Sequence, residues 1–270
     1  MGPDLRSPWT WLPPSLALLL VIVLAASTAN KAVFVLLNHA GHALGDRLWL
    51  HLTMLGDGDG AVALALVVPA IRRSPRIFWA ALIAAVFAAL WVQVLKQVVS
   101  VPRPLAVLPP QLCFQSGPGF RAVSFPSGHA AASFAIAGIW IMASPGAAAR
   151  RAALFALAVL VSLSRVMVGV HWPLDILWGM LGGWLGACCG LSLYARYQWT
   201  TVGASGFLAG ALLLMVAAAL LFSNHMRIPE VLPLQRALGA ICFGWGALEM
   251  FLMLPRIELR RQTKGELDGP

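Results

Sequence analysis

Acidic residues are scarce in this sequence. Asp and Glu together number 10 in 270 residues, and all charged residues make up only 11%. A soluble globular domain carries about 25% charged residues, so that class is excluded. Cysteine is also sparse. Of the four present, Cys113 falls in a polar stretch, while Cys188, Cys189 and Cys242 lie inside apolar runs. No metal-ligand spacing appears among them, and Cys188 and Cys189 read as small packing residues. Strand-like alternation of apolar and polar residues is missing too, which excludes a transmembrane barrel. What fills the chain is hydrophobic residue, 60% of the total. It comes in runs of about 20, the length that a spanning helix requires. The expected class is an all-α, polytopic helical membrane protein.

The net charge of +9 raises the question of nucleic acid or anionic lipid. The cations are spread over short connections rather than gathered in one stripe, so they speak for topology first. A bilayer is the expected partner, and nucleic acid is not.

Along the chain, apolar runs predict spans at 12–37, 48–71, 78–99, 127–142, 152–170, 173–193, 202–222 and 237–254. The first is read as one uncleaved helix, because the apolar pattern resumes after Ser27, Thr28, Asn30 and Lys31. Asn38, His39, His42, Asp46 and Arg47 then form a loop. The second span contains Gly56-Asp57-Gly58-Asp59-Gly60, a break that sets two carboxylates deep in the membrane. Charges at such depth are costly and pair or face a polar cavity, so Asp57 or Asp59 is expected to meet a basic residue or head group there. Residues 101–125, rich in proline, form a loop. Residues 223–236 form another, and 255–270 a polar tail. His39, His42 and His51 have no rigid ligand spacing and read as interfacial residues.

With about eight spans both termini share one side, and by the positive-inside rule that side is cytoplasmic. Arg72, Arg73, Arg76, Arg150, Arg151, Arg196 and the basic tail all fall there. The alanine-, leucine- and arginine-rich style suits a bacterial inner membrane.

Three clusters fall on the opposite, outer face: Lys96 to Pro104, Pro126-Ser127-Gly128-His129, and Ser164 to Asp175. Around a phosphate each makes chemical sense. Ser127 is a good N-cap, and Gly128 leaves its amide open, so the helix start offers free N–H groups and a positive dipole end. Lys96, Arg103 and Arg165 supply the positive charge a phosphoryl transition state needs. His129 stands at the mouth of that nest, where it can protonate a leaving oxygen. Pro173 suits a helix start, and Asp175 four residues after His171 can fix the tautomer of its ring, leaving the far nitrogen as nucleophile. Arg121, just before the second cluster, is a candidate contact for a second phosphate or a head group.

The patterns K-x6-R-P, P-S-G-H and S-R-x5-H-x3-D, in this order, resemble the type 2 phosphatidic acid phosphatase superfamily, over roughly residues 49–194. The resemblance implies a six-helix phosphatase core, here 1–196, with two additional C-terminal helices in 197–254. It implies hydrolysis of a lipid phosphate or diphosphate, with no metal or other cofactor. His171 would become a phosphohistidine with Asp175 orienting it, and His129 would act as acid and then base. Lys96, Arg103, Ser127, Gly128 and Arg165 would hold the phosphoryl oxygens. Undecaprenyl diphosphate, phosphatidylglycerol phosphate, phosphatidate and lipid A phosphate are the substrates it suggests. Two alternatives stay open: a phosphotransferase between lipids, and a non-enzymatic binder or transporter of lipid phosphates.

Overall fold

The computed structural model describes residues 2–56, 74–119, 122–143, 146–200, 204–224 and 227–252, and these are helical with no strand among them. The helices are α1 (Pro8–Ala26), α2 (Asn30–Leu44), α3 (Asp46–Leu55), α4 (Pro75–Val98), a single turn α5 (Pro104–Val107), α6 (Gly128–Ala143), α7 (Ala148–Met167), α8 (Pro173–Tyr197), α9 (Ala204–Phe222) and α10 (Leu232–Phe251). Among the described residues, α1, α4, α8 and the stretch Pro229–Phe251 are long and apolar enough to cross a membrane, and α6 is a shorter apolar helix. The chain is thus an all-α, multi-pass membrane protein.

Helix α8 is the centre of the bundle, and its glycines explain why. Gly179 and Gly183, one turn apart, face α6, where a Cβ on Gly183 would run into Ala131 O and Ala135 N. Gly182, Gly186 and Gly190 face α4, and a Cβ on Gly190 would meet the Ala80 carbonyl. On the facing helices stand Ala80, Ala84 and Ala88 of α4, and Ala131 and Ala135 of α6. Lipid tails are as apolar as leucine, so helices in a bilayer associate through close packing, and small residues permit it. On a third side Trp184, fully buried, donates its indole N–H to Thr10 O (3.0 Å) and fixes α1.

Several boundaries differ from the sequence expectation. The first apolar run is two helices, not one. Ser27 turns its hydroxyl back to Val23 O (2.6 Å), and Thr28 takes a left-handed φ of 54° that no continuing helix can contain. The expected loop from Asn38 to Arg47 is helical, in α2 and α3. Helix α7 ends at Met167 rather than 170, because Gly169 adopts φ 81° and curls the chain so that Val170 N and His171 N both donate to Arg165 O. Helix α10 begins at Leu232, with a proline in its first turn, inside the expected loop. Of the second expected span only 48–56 is described. Asp57, Asp59 and Arg121 lie outside the described residues, as do Arg72, Arg73 and the tail from 253.

Helix α2 lies against the ends of α7 and α8 that carry the third cluster, and a fully buried Asn38 fastens it there. Its amide nitrogen donates to Phe114 O (2.8 Å), Val166 O (3.2 Å) and Met167 O (2.9 Å), while its oxygen accepts from Phe114 N (2.8 Å). Two of those carbonyls belong to the last turn of α7, where helix acceptors run short of intrahelical donors; Val166 O also accepts from Gly169 N (3.0 Å), and Met167 O relies on Asn38. Asn38→Ala removes that partner from Met167 O and from Phe114 N and O, and the expected loss is about 1–3 kcal/mol of stability. Thermal unfolding in detergent measures it, and an unchanged midpoint would contradict the assignment.

Candidate active site

Alternating helix directions bring the three clusters to one end of the bundle. Lys96 stands in the last turn of α4, and Arg165 in the last turn of α7. His129 opens α6, and His171 sits two residues before α8. At the other end lie Arg76, whose guanidinium reaches Ala143 O (3.3 Å) and Gly2 O (3.5 Å), with Arg150, Arg151 and Arg196. Cations in a final helix turn also meet the negative end of the helix dipole, so Lys96 and Arg165 suit their helices as well as an anion.

His171 is buried, 3% exposed, and its Nδ1 lies 3.1 Å from Asp175 Oδ2. Asp175 is the third residue of α8, and its carboxylate also accepts from the Trp172 amide (2.9 Å). The pairing arises from a helix-start turn, since His171 precedes the helix. Trp172 continues the assembly: its indole N–H donates to Pro102 O (2.8 Å), and its ring packs on Phe34 of α2. The loop carrying Arg103 is thereby tied to the start of α8. Arg103 itself donates to Val170 O (3.0 Å), the residue before His171.

Ser127 behaves as the N-cap its sequence predicts. It is fully buried, its carbonyl accepts from Ala131 N (3.1 Å), and its hydroxyl lies 3.4 Å from Ala130 N. Its own amide donates to the Asp175 carbonyl (3.0 Å), so the phosphate-type nest and the His–Asp pair share a main-chain bond. A Cβ on Gly128 would meet nothing nearer than Val92 Cγ1 at 3.9 Å, which leaves room above the helix start. His129 Nε2 is buried without a hydrogen-bond partner among the described residues. Lys96, Arg103, Arg165 and His171 all lie within electrostatic reach of it. Burial, then the charges of Arg103, Arg165 and Lys96, hold the His171 imidazole well below the ordinary histidine range.

Two residues outside the motifs also belong here. Thr53, fully buried on α3, accepts a hydrogen bond from Arg165 Nη1 (2.5 Å). Ser124, also fully buried, places its hydroxyl on the Asp175 carboxylate and 3.3 Å from His171 Nδ1. No spacing rule marks either one, because both reach the site through tertiary packing. His42, by contrast, stacks on Phe114 and pairs with Asp46 (3.1 Å), and His51 bonds to Arg47 O (2.7 Å). No group of three or more His, Cys, Asp or Glu that could hold a metal occurs among the described residues.

The site thus gathers two histidines, a carboxylate and three cations around an open helix start in a helical membrane bundle, an arrangement whose charge and donors suit an anion. The chain belongs to the PAP2 superfamily of membrane phosphatases, whose pattern it matches over residues 76–200. An undecaprenyl-diphosphatase of Sulfolobus acidocaldarius is 31% identical over 159 residues, which are 58% of this chain and 74% of that protein. The crystal structure of Aquifex aeolicus LpxE superposes with a TM-score of 0.54 at 29% identity, covering 60% of this chain and 94% of that one. The PAP2 type phosphatidylglycerolphosphate phosphatase of Bacillus subtilis shares the fold (TM-score 0.50, 21% identity, 68% and 96% covered). Helices α9 and α10 lie beyond the matched family region.

Proposed function

We propose that this protein hydrolyses a lipid diphosphate or phosphate at the outer face of the bacterial inner membrane, through a phosphohistidine on His171. The observation that carries the reading is the His171–Asp175 pair set beside the open start of α6. With Nδ1–H given to Asp175, Nε2 keeps its lone pair for attack on phosphorus. The P–O bond to the lipid breaks as the Nε2–P bond forms, and His129 gives its proton to the departing oxygen. A water molecule, deprotonated by the same His129, then attacks the phosphohistidine, releasing inorganic phosphate and restoring the ring. Lys96, Arg103 and Arg165, with the Ser127 hydroxyl and the amide at Gly128, hold the phosphoryl oxygens throughout. These fixed cations supply the charge stabilisation that a metal supplies elsewhere, so the scheme needs none.

Undecaprenyl diphosphate leads among the substrates, since that is what the Sulfolobus relative's name specifies. Phosphatidylglycerol phosphate, phosphatidate and lipid A phosphate are the others to test. The basic residues at the end opposite the site support cytoplasmic termini. We take 1–196 as the phosphatase core and 197–254 as an addition to it. A phosphate-release panel across these purified lipids, with His171→Ala as blank, tests the reading. Release from none of them would overturn it, and transfer of label to an acceptor lipid would mark a phosphotransferase instead.

The charge around His171 also sets a pH expectation. A depressed pKa keeps the imidazole neutral, and therefore nucleophilic, at pH values where an ordinary histidine is protonated. Phosphoenzyme formation should show no acid limb from His171 as pH falls through the ordinary value of 6.5, once the substrate's own ionisation is divided out. An acid limb centred at or above that value, in rapid-quench measurements, would count against it.

A further inference from the structure

Ser124 precedes the second motif by two residues and belongs to none of the three patterns. The chain brings it to the site by pairing with the first cluster: Ser124 N donates to Val101 O (2.8 Å), and Val123 bridges Pro102 in antiparallel fashion. Its hydroxyl then meets Asp175 Oδ2, the same oxygen that accepts from His171 Nδ1 (3.1 Å) and Trp172 N (2.9 Å). The donor count is informative. A serine hydroxyl has one proton, and an ionised carboxylate can only accept, so that proton goes to Asp175. The neutral His171 ring has one N–H, and with both Asp175 Oδ2 and Ser124 Oγ (3.3 Å) as acceptors it belongs on Nδ1. Three donors converging on one oxygen fix where the carboxylate points, and hence where the imidazole points.

The same short segment also grips the main chain of Asp175, through Ser127 N to Asp175 O (3.0 Å). Residues 124–127 therefore hold Asp175 at two places, side chain and carbonyl, while their last member caps the helix that forms the phosphate nest.

We propose that Ser124 is a positioning residue for phosphoryl transfer, locking the Asp175 carboxylate so that His171 is held as its Nδ1–H tautomer with Nε2 aimed at the phosphate nest. The proposal rests on the reading of His171 as nucleophile. Ser124 touches neither the phosphoryl group nor water in this scheme. It acts through Asp175.

The test uses the full-length protein in detergent with undecaprenyl diphosphate as probe. Ser124→Ala should lower kcat roughly 10- to 100-fold, the usual cost of losing a group that orients a reacting side chain. Because the hydroxyl does not touch substrate, KM should move less than about twofold. Ser124→Thr, which keeps the hydroxyl, should recover most of kcat. In an Asp175→Ala background the Ser124→Ala change should cost almost nothing further, since there is no carboxylate left to orient. A purely structural serine would give additive losses there. Should the alanine protein fail to fold, Ser124→Cys replaces a strong donor by a weak one at similar volume, and its kcat should fall likewise. Unchanged kcat in the folded alanine or cysteine protein overturns the proposal, as do additive losses or an effect confined to KM. An active His171→Ala protein overturns the underlying reading instead, so the two failures are distinguishable.

Discussion

Replacing His171 with alanine is expected to lower phosphate release by at least about 10⁴-fold, the scale of loss when a covalent nucleophile is removed. No substitute stands ready, because His129 opens a different helix and its task in the proposed scheme is proton transfer. The fold should survive the change. Asp175 keeps two of its donors, the Ser124 hydroxyl and the Trp172 amide, so the carboxylate is not stranded. What is lost is one imidazole in a well-packed site, a cavity cost of a few kcal/mol at most. Asp175→Asn should fall between this protein and the wild type in activity. An amide offers its own N–H groups where Asp175 Oδ2 now accepts, and so favours the wrong ring tautomer. The measurement is inorganic phosphate release by purified, monodisperse protein, with trapping of the phosphoenzyme alongside. Residual turnover above about 1% in the alanine protein would place the nucleophile elsewhere.

The second large effect concerns stability. Gly183→Leu should abolish the native bundle, and even Gly183→Ala should weaken it. Two forces compete in the alanine case. Alanine favours the helix by about 1 kcal/mol over glycine. Against that, its Cβ meets the Ala131 carbonyl and lies 2.8 Å from Ala135 N, both backbone atoms of α6 that no rotamer change can move. Helices α6 and α8 must separate, and overpacking of this kind costs about 1–3 kcal/mol or more. Separation also pulls on the Ser127–Asp175 main-chain bond, so activity should fall with stability. Leucine adds three more carbons, and no repacking can accommodate it. Leu185→Ala is the control, being on the same helix but 44% exposed. Thermal unfolding in detergent separates the two sites, and equal midpoints for Gly183→Ala and wild type would refute the packing argument.

Much of the candidate site could be read from the chain because its local geometry is set by short-range spacing. Ser127 as N-cap, Pro173 in the first turn of α8 and the four-residue step from His171 to Asp175 are all short-range patterns, and the structure contains each. The break at Thr28 could not be read the same way. Apolar residues continue on both sides of it, and threonine is a poor candidate for a left-handed φ. Asn38 was equally opaque, since a polar residue followed by His39 at the end of an apolar run looks like a loop until its partners on α7 and the Phe114 segment are known. The glycines of α8 are a different case. Their four-residue spacing is plain in the sequence, yet which helix each row faces depends on packing that no spacing reveals.

The bond from Ser127 N to Asp175 O has a consequence for how the site tolerates its surroundings. Bilayers differ in thickness, and spanning helices answer by tilting. Between α6 and α8 the backbones are in contact at Gly179 and Gly183, a turn or two below that bond, so a change of tilt must pivot there. The distance from the start of α6 to His171 is set at the pivot, where leverage is smallest. Lipid composition can therefore alter the slant of the outer helices while the few ångströms between the start of α6 and the His171–Asp175 pair stay constant.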